Sequence, residues 1–224
     1  MRSIIEHVHG GYVANRRISV LASGIAALLP PSARVLDVGA GDGLLAARIL
    51  AVRPDVRIEG VDVLVREGTA IPVRAFDGER IPYEDGSVDL VMMVDVLHHT
   101  DDPAVLLRES MRVARAGILI KDHLREGRLA GAVLRTMDRV GNARHGVRLP
   151  YNYWSRAQWD LAFHRLGLSV QRWQSRLHLY PPPASWIFDR SLHFLALLGI
   201  EERSLSRRAD IARTASSAST ALSR

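Results

Sequence analysis

Three alternate glycines, Gly39, Gly41 and Gly43, end the run Val35-Leu-Asp-Val-Gly-Ala-Gly-Asp-Gly43. Glycine lets a chain turn tightly and lets a ligand lie against bare backbone, so a strand feeding such a loop is a place to hold a cofactor. The spacing limits which one. A dinucleotide loop needs its third glycine three residues after the second; here it comes two after, and Leu44 stands where that glycine would be. The acids flanking the loop, Asp37 and Asp42, would repel a pyrophosphate and suit a cationic ligand that carries an amino acid. Further acids follow at the ends of apolar runs: Asp62 in Gly60-Val-Asp62, Asp77 in Phe76-Asp-Gly78, Asp95 in Asp95-Val-Leu-His-His99, and Asp122 in Lys121-Asp-His123. A carboxylate can accept two hydroxyl hydrogen bonds at once, and imidazole exchanges protons near neutral pH.

These residues need a scaffold. Ile18, Leu21, Ile25, Leu28 and Leu29 recur at helical spacing until Pro30-Pro31 stops them, which predicts an N-terminal helical segment over 1–30. Strands are expected over 34–38, 57–61, 73–76, 88–94 and 117–121, with helices from Leu44 to Val52 and from the Asp102-Pro103 cap onward. The nearly unbroken apolar run Val88–Val94 suits a parallel strand covered on both faces. Strand and helix thus alternate through residue 120, the pattern of a doubly wound, mostly parallel α/β sheet with right-handed crossovers. Beyond it, 125–140 reads as helix, 141–153 as a loop, and Ser155-Arg-Ala-Gln158 as a capping box for a helix ending near Gly167. Late strands are expected over 168–173 and 192–198, and the Ser-, Ala- and Arg-rich stretch 201–224 as a disordered tail.

With these motifs in order, the sequence resembles the class I S-adenosylmethionine-dependent methyltransferases, in particular the ubiquinone/menaquinone-biosynthesis (type 11) branch. The resemblance spans about residues 33–121. It implies a seven-stranded Rossmann-like methyltransferase sheet over 31–200, with 123–155 as an insertion or lid. It implies S-adenosyl-L-methionine as methyl donor. The donor would be held by Asp37, Gly39, Ala40, Gly41 and Gly43 of the glycine loop, and by Asp62 with Val63 at the ribose. Asp77 with Gly78 would meet the adenine amino group, and Asp95 would support the loop. One departure stands out: Arg115-Ala116-Gly117 replaces the family's usual Pro-Gly-Gly before strand five, which puts the geometry of that turn in question.

In an open α/β sheet the ligand lies beyond the carboxyl ends of the strands where their order reverses, so the acceptor should border Asp95–His99 and Lys121–His123. Methyl transfer from a sulfonium is an in-line displacement, served mostly by alignment and exclusion of water. A base is needed only if the acceptor must lose a proton. His99 and His123, with Asp122 beside the latter, are the candidates. The alternative is that the His98-His99 pair packs under the cofactor. Tyr12, Asn15, His98, Asn152 and Tyr153 are expected to face the acceptor in the cofactor cleft; the alternative is surface-loop packing. Asp95, Asp122 and His123 also bring to mind the magnesium site of catechol O-methyltransferases, but the rest of that pattern is missing and no metal is expected.

Composition narrows the partners. With 47% apolar and 24% charged residues, the chain has the balance of a folded protein, and its lack of cysteine excludes disulfides and thiolate metal sites. The net charge of +6 comes almost wholly from scattered arginines, Lys121 being the one lysine, so no nucleic-acid partner is expected. Asp95-Val-Leu-His also lacks the Asn/Asp-Pro-Pro-aromatic motif that adenine N6-methylation would want. A small-molecule acceptor is expected, with a lipophilic quinone-like substrate at a membrane surface, or RNA, as the alternatives. Glu6 interrupts the start of the chain where a signal peptide needs an apolar run, and no apolar run is long enough to span a bilayer. A cytoplasmic enzyme follows as the expectation.

Overall fold

A computed structural model of the chain describes residues 15–142, 150–189 and 191–200. Seven strands form one sheet: β1 Arg34–Val38, β2 Arg57–Asp62, β3 Val73–Ala75, β4 Val88–Val94, β5 Ala114–His123, β6 Leu168–Gln174 and β7 His193–Ile200. Their order is β3-β2-β1-β4-β5-β7-β6. Every pairing is parallel except those of β7, which runs antiparallel to both β5 and β6. The order reverses between β1 and β4, and this places a crevice beyond their carboxyl ends. The fold is the Rossmann-like methyltransferase sheet that the motifs imply.

Helices cover both faces. Helix α1 is described over residues 15–26, followed by α2 Leu44–Val52, α3 Pro103–Val113, α4 Ala130–Asn142, α5 Arg156–Leu166 and the short α6 Ser185–Phe188. The alternation of side chains along β4 divides the core. Leu90 and Met92 pack with Leu21 and Ile25 of α1 and Ile49 of α2, while Val91 and Met93 pack with Leu106 and Leu107 of α3 and Trp159 and Phe163 of α5. Caps fix where helices begin. The Asp102 side chain accepts from the Ala104 N–H at 2.9 Å with Pro103 at the first turn, and the Ser155/Gln158 capping box opens α5 before Gly167 ends it in the left-handed region.

Several boundaries differ from expectation, most by one or two residues. β5 starts at Ala114, three residues before the expected 117, and continues to His123. The Arg115-Ala116-Gly117 departure is the reason: it does not form a turn but runs on as strand. Gly117 pairs with Gly199 across the sheet, and a Cβ there would meet the Leu198 carbonyl oxygen at 2.2 Å. α4 begins at Ala130, not 125, because Leu124 and Arg125 donate backbone hydrogen bonds to Leu192 and Trp154. β7 extends to Ile200, two residues past the expected end. The segment after Pro181-Pro182-Pro183 holds a four-residue helix. Tyr12 and the stretch 201–224 lie outside the described residues. No helix among the described residues is long and apolar enough to cross a membrane.

Candidate active site

The glycine loop leaves β1 and is pinned from below. The N–H groups of Gly39 and Ala40 donate to the Val61 carbonyl at 2.8 and 3.2 Å, which ties the loop to β2. Gly39 has φ +77°, and a Cβ there would stand 2.4 Å from Val96 Cγ2. Only glycine fits both the conformation and the space. Asp62, at the carboxyl end of β2, accepts from the Gly41 N–H at 2.8 Å and from the Leu64 N–H at 2.9 Å. Its carboxylate is thereby held facing the loop. Asp77 Oδ1 accepts from the Glu79 and Arg80 N–H groups at 2.8 and 2.7 Å; Oδ2 takes neither of these bonds. Those backbone donors also hold the Asp77 carboxyl below its ordinary pKa.

Asp37 and Asp42 take different roles. Asp37 is buried beneath the loop, 3% exposed, and burial together with the nearby Asp62 charge pushes its carboxyl up to about 7. Asp42 is spent locally: it accepts from the Leu44 N–H at 3.1 Å at the start of α2 and lies 3.7 Å from Arg66.

A cavity of about 480 Å³ opens over these residues. Gly39, Asp62, Val63, Asp77 and Gly78 border it on one side, and Val96 and His99 on the other. Donor-bearing backbone without side chains and two fixed carboxylates suit a ligand with ribose hydroxyls and an exocyclic amine. The residues present therefore fit S-adenosylmethionine.

A second cavity, of about 190 Å³, adjoins the first at His99 and is bordered by Arg17, Asp95, His98, His123, Asp138 and Tyr180 among others. Its walls are largely polar, with His98, His123 and Asp138 buried and the others partly so. Asp95 adopts a left-handed backbone with φ +57° and is fixed by its N–H donating to the Lys121 carbonyl at 2.8 Å. The Asp95 carboxylate pairs with Arg17 of α1 and with Lys121, whose side chain is fully buried. Burial would raise the Asp95 carboxyl, but Lys121 and Arg17 outweigh it and hold it well below the carboxylate range. Asp122 accepts from the Leu97 N–H at 2.9 Å and from the His98 ring at 2.6 Å. Burial opposes charge on His98, yet Asp122 and Asp138 keep its pKa raised. His123 goes the other way: burial, then the adjacent His98 and Lys121, lower its pKa.

The structure brings most of the expected residues to one place. Gly39, Asp62, Val63, Asp77, Gly78 and His99 meet at the first cavity, and Asp95, His98, His99 and His123 at the second, while Asp37, Ala40, Gly41 and Gly43 line neither. Asp122 stands behind the second, orienting His98. Tyr153 is buried and donates its hydroxyl to Asp138. Asn152 donates its side chain to the Thr100 and Asp101 carbonyls at 3.2 and 3.1 Å, bracing the loop after β4. Asn15, at the first described turn of α1, is exposed and borders neither cavity. Sequence reasoning missed Arg17, Asp138 and His193. Asp138 did carry a signal: it continues the Ala130–Leu134 spacing of four, an acid on the apolar stripe of α4. His193, likewise, is a polar residue opening an apolar strand. Arg17 has no mark that separates it from the other arginines.

A glycine-bordered cavity at the switch point of this sheet defines a class I methyltransferase-type domain. A family model described as a methyltransferase domain matches residues 12–172, and the chain belongs to that family. It is 29% identical over 133 residues to the 27-O-demethylrifamycin SV methyltransferase of Amycolatopsis mediterranei, covering 50% of this chain and 48% of that protein. It is 34% identical over 110 residues to the demethylmenaquinone methyltransferase of Roseiflexus, covering 44% of this chain and 46% of that protein. The chain thus spans about half the length of these relatives. A solved S-adenosylmethionine-dependent methyltransferase from Thermotoga maritima superposes with a TM-score of 0.60 at 18% identity, over 89% of this chain and 97% of that one, a likeness of fold.

Proposed function

We propose that this chain transfers a methyl group from S-adenosylmethionine to a small-molecule acceptor. The observation that carries the reading is the meeting of two cavities at His99: a larger one with the features of a donor site, and a small polar one beside it. The donor, when bound, supplies an electrophilic sulfonium methyl. Asp62 is held to accept ribose hydroxyls, Asp77 Oδ2 to accept the adenine amine, and Asp37 to balance positive charge beneath the loop. Val96 and Leu106 form an apolar wall that keeps water from the ring. An acceptor in the second cavity would approach past His99. Where that acceptor must shed a proton, His99 is the side chain placed between the two ligands to receive it. A cavity of about 190 Å³ admits a functional group of a small molecule, which favours that class over a polymer.

The test is release of S-adenosylhomocysteine in the presence of a panel of phenols, alcohols, amines and quinols. Turnover with one acceptor class, lowered in kcat by His99→Gln while donor affinity holds, supports the reading. Donor binding with no turnover on any small molecule, and turnover on RNA or protein, refutes it.

A further inference from the structure

We propose that His98, His123 and Asp138 form a binding site for one divalent first-row transition metal ion, with a coordination position facing the second cavity. The site goes beyond the methyl-transfer reading and does not depend on it. Three ligand atoms, one from each of these buried residues, lie within 4.8 Å of one another. His98 comes from the 3₁₀ turn after β4, His123 from the end of β5, and Asp138 from α4.

His98 Nδ1 sits 2.6 Å from the buried Asp122 carboxylate, which can only accept, so the ring proton is on Nδ1. Lys121 Nζ lies 3.3 Å from His193 Nδ1, and an ammonium can only donate, so His193 Nδ1 is an acceptor. His123 Nδ1 lies 3.1 Å from the same atom. Both Nε2 atoms face the Asp138 carboxylate, His98 Nε2 at 3.4 Å from Oδ2 and His123 Nε2 at 3.3 Å from Oδ1, and a metal ion would displace the protons held between them. Three potential ligand atoms converging in a buried space can hold a cation between them.

Distance separates a metal ion from a proton. A charge-assisted N–H···O bond closes to about 2.7–2.9 Å. Ligands about 2.0–2.1 Å from a tetrahedral ion stand on the order of 3.3 Å apart, the edge of that tetrahedron. The two imidazole–carboxylate separations match the second case, and the two imidazole nitrogens lie within 4.8 Å of each other. The support is also of the right kind: a ligand imidazole that gives its other N–H to a carboxylate is the arrangement that fixes ring orientation at metal centres. Tyr153, donating to Asp138, orients the carboxylate in the same way. Two imidazoles and one carboxylate suit zinc, cobalt or iron(II) over magnesium or calcium. The cavity side would take an oxygen ligand, water or an acceptor hydroxyl, whose proton the ion makes easier to lose. His123 would then be a ligand, leaving His99 as the proton acceptor.

The experiment uses the full chain, stripped with chelator and titrated calorimetrically with ZnCl₂, then with CoCl₂ while visible absorption is recorded. One equivalent should bind with micromolar or tighter affinity, with the intense d–d bands of four-coordinate cobalt. Asp138→Asn and His123→Gln should each weaken binding roughly tenfold or more, whereas His164→Gln, on the exposed face of α5, should not. Circular dichroism and S-adenosylmethionine affinity check that the variants fold. A folded wild type that binds neither ion overturns the site. So does binding unaffected by both substitutions. Metal binding without donor binding would leave this site standing while refuting the methyltransferase reading.

Discussion

Asp37→Asn should make the protein without ligand more stable at alkaline pH, against the usual result of altering a buried polar residue. Asp37 is 3% exposed, and burial followed by the Asp62 charge moves its carboxyl from 3.8 to about 7. The folded state therefore keeps a proton that the unfolded chain has released between about pH 4 and 7. The stability tied to that proton is fully present below the unfolded pKa and falls as pH rises through the folded one. A shift of about three pKa units, at about 1.4 kcal/mol each, sets a ceiling of about 4 kcal/mol. About 2–3 kcal/mol of it falls between pH 5 and 8. Asparagine mimics the protonated acid at every pH and lacks this loss. Thermal melts of both proteins at pH 5 and 8 read the double difference, in which any pH-independent packing cost cancels. At roughly 2–4 °C per kcal/mol for a domain of this size, the variant should gain about 5–10 °C on the wild type across that range. Parallel pH profiles for the two proteins would refute the reasoning.

The same carboxyl should bind a cationic ligand better once ionised, so wild-type affinity for S-adenosylmethionine should rise from pH 6 to 8 and that of Asp37→Asn should not; calorimetry at the two pH values decides. Gly39→Ala puts a methyl 2.4 Å from Val96 Cγ2 at φ +77°, and should abolish donor binding; adding Val96→Ala should restore part of the stability but leave the left-handed strain of about 1 kcal/mol, seen in urea unfolding. Trp159→Ala empties a fully buried site against Phe163 and Phe194 and should cost about 3–5 kcal/mol by the same assay. Arg17→Gln removes one of two cations on Asp95; with Arg17 about one-third exposed, the expected loss is about 1–2 kcal/mol, measured as a shift in denaturation midpoint.

Much of the sheet was legible because its strands are short apolar runs ending in glycine or acid. β1, β4 and α2 fall where periodicity and punctuation put them, since each is specified by neighbouring residues alone. β5 did not, because its true start depends on β4: Ala114 pairs with Val88, and a register shift separates that pair from Leu90 and Gly117. The residues bordering the larger cavity were legible as a linear motif. The second cavity was legible in part: Asp95, His98, His99 and His123 stand at the expected strand ends, whereas Arg17 of α1 and Asp138 of α4 join them only in the fold. Asp42 shows the opposite failure: its type suggested a ligand contact, while its side chain accepts from the Leu44 N–H and pairs with Arg66.

The most direct test of the central claim is isothermal titration of the purified chain with S-adenosylmethionine, beside Asp62→Ala. Asp62 carries the Gly41 and Leu64 N–H groups as well as the proposed ribose contact, so circular dichroism of the variant accompanies the titration. Micromolar binding by the wild type that collapses in a folded Asp62→Ala is the predicted result. A folded wild type that takes up no donor, with or without candidate acceptors present, would contradict the assignment of the larger cavity.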